Sequence, residues 1–247
     1  HLMSYTSPHY NINHLSPHQK HTPHTTNQPT SHTSPSNDTK RSAPTQLNKM
    51  SSEIQFTSLG SGLEVGRSCH YLVIGKKHII LDCGLHPAHN GVESLPLLSV
   101  IPDISIIDIV LVTHFHLDHS EALPYLMKIP GFREQVFMTV PTLSITRLML
   151  EDYLRVLGYT NAPDQELLDI DNPLTHGFAL YNERSLSDAL SRIQVINFHQ
   201  VQVVAVIRFT AFYAGHELGA AMFLIEVAYT RLLYTGDSSL QEIRHLR

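Results

Sequence analysis

The chain has 247 residues, 14 prolines, 12 glycines, two cysteines and no tryptophan, with a formal net charge of -5. A hydrophobic fraction of 42% excludes a wholly disordered chain, and two cysteines exclude a disulfide-rich secreted scaffold. The acidic balance argues against a general polyanion binder, and no apolar run approaches the ~20 residues of a membrane span. The N-terminus carries no apolar signal-peptide segment either.

The first 50 residues hold seven of the 18 histidines and six of the 14 prolines but no glycine. Ser, Thr, Asn, His and Pro dominate, and such a segment buries too little surface to offset its ordering entropy. Residues 1–50 are therefore expected to be a disordered low-complexity tail, with no scaffold to hold metal on its histidines. Met50, where the composition changes, is a candidate translation start. Residues 51–247 alternate strand and helix patterns and are expected to form an α/β domain.

Ile54–Leu59 alternates into Gly60-Ser61-Gly62. Tyr71–Ile74 and His78–Leu81 are β-rich runs separated by a Gly75-Lys76-Lys77 hairpin. Asp108–Thr113 is a short apolar run of the kind found in strands buried on both faces. Glu121–Lys128 predicts a helix with Pro124 in its first turn, and Val136–Thr139 a strand. Leu143–Leu157 predicts a helix preceded by Pro141. Residues 160–183 are polar and irregular. Ile193–Phe198, Val203–Tyr213, Ala221–Val227 and Arg231–Tyr234 predict four more strands. Cys69 and Cys83 read as small buried thiols.

The strongest local signal is His114-Phe115-His116-Leu117-Asp118-His119, directly after the predicted strand Asp108–Thr113. Alternation along an extended chain puts His114 and His116 on one side, where two imidazoles can grip one ion. Asp118 and His119 follow as the chain turns into a helix and can approach a second ion. Four metal-type side chains within six residues at a strand end are hard to explain as packing. His216 and Asp237 follow later strands, each preceded by a small residue that allows close backbone approach. Alone, they read as readily as a core histidine and a turn residue; beside the first cluster they are candidate ligands. Other patterns fail. Gly60, Gly62 and Gly66 have the wrong spacing for a dinucleotide loop and precede a strand. No G-x-S-x-G elbow is present. His86 and His89 read as surface or rim residues, not ligands.

HFHLDH resembles the HxHxDH signature of the metallo-β-lactamase superfamily. LGSGLEVGRSC (59–69), LDCGLHP (81–87), ALP (122–124), AGHELGAAMF (214–223) and LLYTGD (232–237) fall in order around it. Together they resemble the β-CASP RNA endonucleases of pre-mRNA 3′-end processing. Asn197-Phe198-His199 and Arg244-His245-Leu246 favour that branch over its Integrator-complex paralogue. The resemblance implies an αββα sandwich, of which this chain supplies the N-terminal portion. It implies two Zn2+ ions, with His114, His116 and His216 on the first, Asp118 and His119 on the second, and Asp237 bridging. It implies in-line displacement at phosphorus, the ions offsetting charge on the attacking and leaving oxygens. Asp82 becomes a candidate to orient a ligand imidazole; its plain alternative is a turn residue. The implied partners are pre-mRNA and the other subunits of a nuclear processing complex.

Departures from the family pattern flank these residues without replacing any. Glu217 stands where an apolar residue is usual, Ser120-Glu121 where Cys-Gly is usual, and Ser238 where an aromatic is usual. The family continues past Asp237 to a further acidic residue, a β-CASP insertion, another histidine for the second zinc and a histidine proposed as general acid. The sequence stops at Arg247, before all of these. The second site is therefore expected to hold three of its side chains, one sheet face to lie uncovered, and the basic RNA-tracking surface to lie outside this acidic stretch. Two further readings stay open: a small-molecule metallo-hydrolase such as a thioesterase or lactonase, and an inert scaffold subunit.

Overall fold

The computed structural model describes residues 53–158 and 179–241. The tail expected over residues 1–50, most of the irregular stretch expected over 160–183, and Arg244-His245-Leu246 lie outside the described residues.

Strands β1 (Ile54–Ser58), β2 (His70–Ile74) and β3 (Lys77–Leu81) form an antiparallel meander. Ile74 pairs with Lys77, so the β2–β3 hairpin turns on Gly75-Lys76 alone. β4 (Ile109–Leu111), β5 (Gln135–Thr139) and β6 (Gln194–Ile196) then add in parallel, completing a six-stranded sheet in sequence order. β4 is fully buried, as its unbroken apolar run requires.

The helices punctuate these strands. α1 (Leu117–Ser120) is a single turn, and α2 (Leu123–Lys128) carries Pro124 in its first turn. The helix expected from Glu121 thus starts at Leu123. α3 (Val140–Leu157) begins directly after β5, with the Thr139 hydroxyl accepting from the Thr142 N–H. Pro141 lies inside its first turn rather than before it, a place where a missing N–H costs nothing. α4 (Glu183–Arg192) has no counterpart in the sequence reading. Its Asn182 cap accepts from the Ser185 N–H, and only Leu186, Ala189 and Leu190 are buried.

The remaining strands form a separate antiparallel sheet in the order β10-β9-β8-β7: β7 (Val201–Val204), β8 (Ile207–Tyr213), β9 (Ala221–Val227) and β10 (Thr230–Tyr234). The single strand predicted over Val203–Tyr213 is in fact part of a hairpin. Val204 pairs with Ile207 across Ala205 and Val206, whose φ values are +49° and +65°. A two-residue turn of this kind favours Gly or Asn, so cross-strand packing overrides local preference here.

Two cores follow from strand alternation. Ile80, Val110, Val112, Val136 and Met138 face the helices, meeting Leu126, Leu150, Leu186 and Leu190. Leu72, Ile79, Leu81, Ile109 and Phe137 face the other way, onto Phe209, Phe223 and Ile225 of the second sheet. The layers run helix, sheet, sheet, which are three of the four of an αββα sandwich. The outer face of the four-stranded sheet leaves Val203 and Leu233 exposed.

Candidate metal centre

The site lies where strand ends of both sheets meet. β3 leads to Asp82, β4 to His114 and His116, and α1 carries Asp118 and His119. β8 leads to His216 and β10 to Asp237. The backbone fixes the junction. Asp82 N–H donates to Leu111 O, Cys83 N–H to His119 O, and Ser68 N–H to Asp118 O, all within 2.9 Å. Gly84 lies so close to this turn that a Cβ would come 1.8 Å from the Asp118 carbonyl carbon. Gly236, at φ +52°, leaves no room for a Cβ against Thr113, 2.6 Å from its methyl. Each glycine therefore sets how closely a ligand-bearing segment can approach.

The expected side chains converge on two points. His114 Nε2 and His116 Nδ1 are 3.0 Å apart, and His216 Nε2 is 3.4 Å from the same His116 nitrogen. One Asp237 oxygen lies 4.0 Å from His114 Nε2 and 3.7 Å from His216 Nε2. Its other oxygen lies 3.7 Å from His119 Nε2, which is 3.8 Å from an Asp118 oxygen. Tetrahedral coordination at 2.0–2.1 Å puts ligand atoms about 3.3 Å apart, so both groups are near the required spacing. Nitrogen and oxygen donors in an N3O set and a second set of one nitrogen and two oxygens fit a divalent metal. The N3O group of His114, His116, His216 and Asp237 gathers four donor atoms within 4.8 Å. Asp237 offers one oxygen to each point.

Hydrogen bonds fix the ring tautomers. The Asp82 carboxylate is fully buried and only accepts, taking Thr113 N–H at 2.7 Å and Thr113 Oγ1 at 3.0 Å. It also accepts from His119 Nδ1–H at 3.0 Å and the Tyr234 hydroxyl at 2.8 Å. His119 must then carry its proton on Nδ1, leaving an Nε2 lone pair toward Asp118 and Asp237. Because Thr113 Oγ1 donates to Asp82, it accepts from His114 Nδ1–H at 2.9 Å, which leaves the His114 Nε2 lone pair facing His116 Nδ1 at 3.0 Å. The expectation that Asp82 orients a ligand imidazole thus has a direct contact behind it. Glu217 faces the outer nitrogen of His116, with 3.8 Å from its carboxylate oxygen to Nε2.

The electrostatics of the two rings run in opposite directions. Burial, helped by repulsion from His119, drives His114 down to about 3, so that ring is neutral at ordinary pH. Burial also opposes charge on His119, but the Asp82 hydrogen bond and charge, with Asp118 and Asp237, outweigh it and raise its pKa. Burial alone would raise Asp82; its bonds to His119 and Thr113 hold it below the usual carboxylate range.

Sequence reasoning passed over four residues here. Thr113 and Tyr234 bond Asp82, and Ser68 Oγ lies 3.2 Å from His119 Nε2. His70 lines a cleft of about 280 Å³ with Ser68, Asp118, His119, Tyr234 and Asp237. Ser68 and Tyr234 lie within quoted motifs and Thr113 and His70 beside them, but only the folded chain brings the four together. A second grouping lies at the rim of the same cleft. Glu64, His86 and His89 bring donor atoms within 4.8 Å of one another, although the histidines read as rim residues.

Residues 71–247 match the family model of the metallo-beta-lactamase superfamily domain. Endoribonuclease YSH1 of Kluyveromyces lactis is 47% identical over 193 residues, covering 78% of this chain and 24% of that protein. Cleavage and polyadenylation specificity factor subunit 3-I of Arabidopsis thaliana is 41% identical over 201 residues, covering 81% of this chain and 27% of that one. Cleavage and polyadenylation specificity factor 73 of Drosophila melanogaster is 42% identical over 196 residues, covering 79% and 26% respectively. The chain spans about a quarter of the length of these relatives. A family match running from β2 to the last residue, over strand ends that gather the HxHxDH side chains with His216 and Asp237, means that the chain belongs to the metallo-β-lactamase superfamily.

Proposed function

We propose that the chain is the N-terminal metallo-β-lactamase part of a two-zinc endoribonuclease. The whole protein would cleave pre-mRNA at its 3′ end, in the nucleus, together with other subunits of a processing complex. The observation that carries this is the convergence of six side chains on two points that share Asp237. It is joined by 41–47% identity to proteins named as endoribonucleases or cleavage and polyadenylation factors.

His114, His116 and His216 would hold the first zinc, Asp118 and His119 the second, and Asp237 both. When bound, the pair supplies Lewis acidity for phosphodiester hydrolysis. The protein's own groups prepare the site. Asp82 and Thr113 keep protons on the Nδ1 atoms of His119 and His114, so the Nε2 lone pairs face inward. The cleft beside Asp118 and Asp237 carries Ser68 and His70 on its wall and would take the phosphodiester from solvent.

The test is cleavage of a single-stranded pre-mRNA substrate by the full-length protein in its purified complex, with His216→Ala and Asp237→Ala as variants. Removing either side chain is expected to lower cleavage by at least ~100-fold while RNA binding stays within a few-fold, as loss of metal-borne catalysis requires. Undiminished cleavage by both variants would sink the assignment. Turnover of thioesters or lactones without RNA cleavage would favour a small-molecule hydrolase instead.

A further inference from the structure

We propose that Glu64, His86 and His89 form a third metal site, for a zinc-class transition ion, at the rim of the cleft. None of the three belongs to the centre described above, and the site stands whether or not the chain acts on RNA.

The geometry is built from two laced loops. Residues 59–69 connect β1 to β2, and residues 82–90 follow β3. Arg67 N–H donates to Leu85 O at 3.0 Å, and Gly66 sits against Pro87 and His86 so tightly that a Cβ would lie 2.7 Å from the proline ring. The loops are therefore held together before any ion arrives. The His86 and His89 rings lie 4.4 Å apart between centroids. A Glu64 oxygen is 3.6 Å from His86 Nε2.

The carboxylate is also aimed. Arg67 Nε donates to the other Glu64 oxygen at 2.7 Å, and the same guanidinium is anchored on the Glu93 and Leu95 carbonyls. One oxygen is thus tied down while its twin faces the His86 imidazole. Partners of this kind, which orient a ligating carboxylate from behind, typically accompany real metal sites.

One adjustment is required. Ala88 N–H donates to His86 Nδ1 at 3.1 Å, which puts the ring proton on Nε2, facing Glu64. An ion on Nε2 moves that proton to Nδ1 and releases the Ala88 bond, which is solvent-exposed and passes to water. Two imidazoles and one carboxylate suit zinc or its transition-metal neighbours, and not magnesium or calcium, which prefer all-oxygen shells. Glu64 and Gly66 line the cleft that also holds Asp118, His119 and Asp237. An ion here would fix that wall of the cleft.

The test is equilibrium zinc binding to the full chain, with the free ion set by a chelator buffer. Wild type is compared with His89→Ala, Glu64→Gln and His216→Ala. The histidines of the first 50 residues are common to all four and cancel. His89→Ala is expected to lose about one equivalent, and Glu64→Gln to weaken that same equivalent at least tenfold. The loss in His216→Ala should be separate and add to that of His89→Ala in the double variant. Cobalt substitution supplies a second readout, because the His89 variant should lose one set of visible absorption bands while far-UV circular dichroism stays unchanged. Equal zinc content and equal affinity in wild type, His89→Ala and Glu64→Gln would overturn the proposal.

Discussion

Asp82 accepts from four donors while its backbone stands at φ +59°, in the left-handed region that aspartate tolerates better than most residues. Asparagine would keep the shape but turn one acceptor into an NH2 group facing donors. Asp82→Asn should therefore weaken metal retention by roughly 10–100-fold, as loss of a partner behind a metal ligand typically does. Chelator competition on the purified chain measures this, and an unchanged affinity would remove Asp82 from the site. Glu121 makes a different case. Burial, with the Asp118 charge, pushes its carboxyl up to about 8, and one of its oxygens has no partner. A carboxyl whose pKa is raised on folding stabilises fully below its unfolded value and loses that stability as pH climbs through the folded value. The unfolded reference is 4.5, so the loss runs from there to about 8. Glu121→Gln should thus match the wild type at about pH 4 and exceed it by up to ~4 kcal/mol at about pH 9, as urea melts at the two pH values would read.

At the scale of elements, Gly84 is the tightest joint. Alanine there would meet the backbone of the Asp118 turn, and that contact cannot be relieved by a side-chain rotation. Gly84→Ala should cost upwards of ~3 kcal/mol and abolish metal binding, measured by thermal melting and metal content together. The fold was legible in sequence wherever one periodicity ran unbroken. DIVLVT is typical of a buried strand and holds one at Ile109–Leu111, and Ala221–Val227 alternates cleanly. Legibility failed where tertiary contacts decided. α4 shows three apolar residues in a polar stretch, too few to signal a helix before Leu186 and Leu190 meet the core. The β7–β8 turn lacks the Gly or Asn that would have announced it. The metal-binding candidates were legible because four lie within six residues and the other two follow glycines. Tyr234 was not, since its bond to Asp82 spans 152 positions and leaves no local mark.

Across the whole molecule, the second sheet buries Phe209, Phe223 and Ile225 on one side and leaves the other to solvent. Val203 is 64% exposed and Leu233 52%, on a face that also carries the Arg208–Glu226–Arg231 ion pairs. The isolated chain should self-associate through this face. Replacing Val203 and Leu233 together by lysine should shift it toward monomer in sedimentation velocity, and unchanged association would clear the face. The candidate metal-binding side chains divide along the same architecture: four hang from the six-stranded sheet, and His216 and Asp237 from the other. A bound ion is therefore a rivet through two leaves. A slip of one leaf past the other by a single residue, about 3.3 Å, would carry His216 and Asp237 out of reach of the remaining four. A metal in the centre would thus report the alignment of the leaves to within less than one residue, an alignment that the Tyr234–Asp82 and Ala221–Thr113 hydrogen bonds already hold across the same seam.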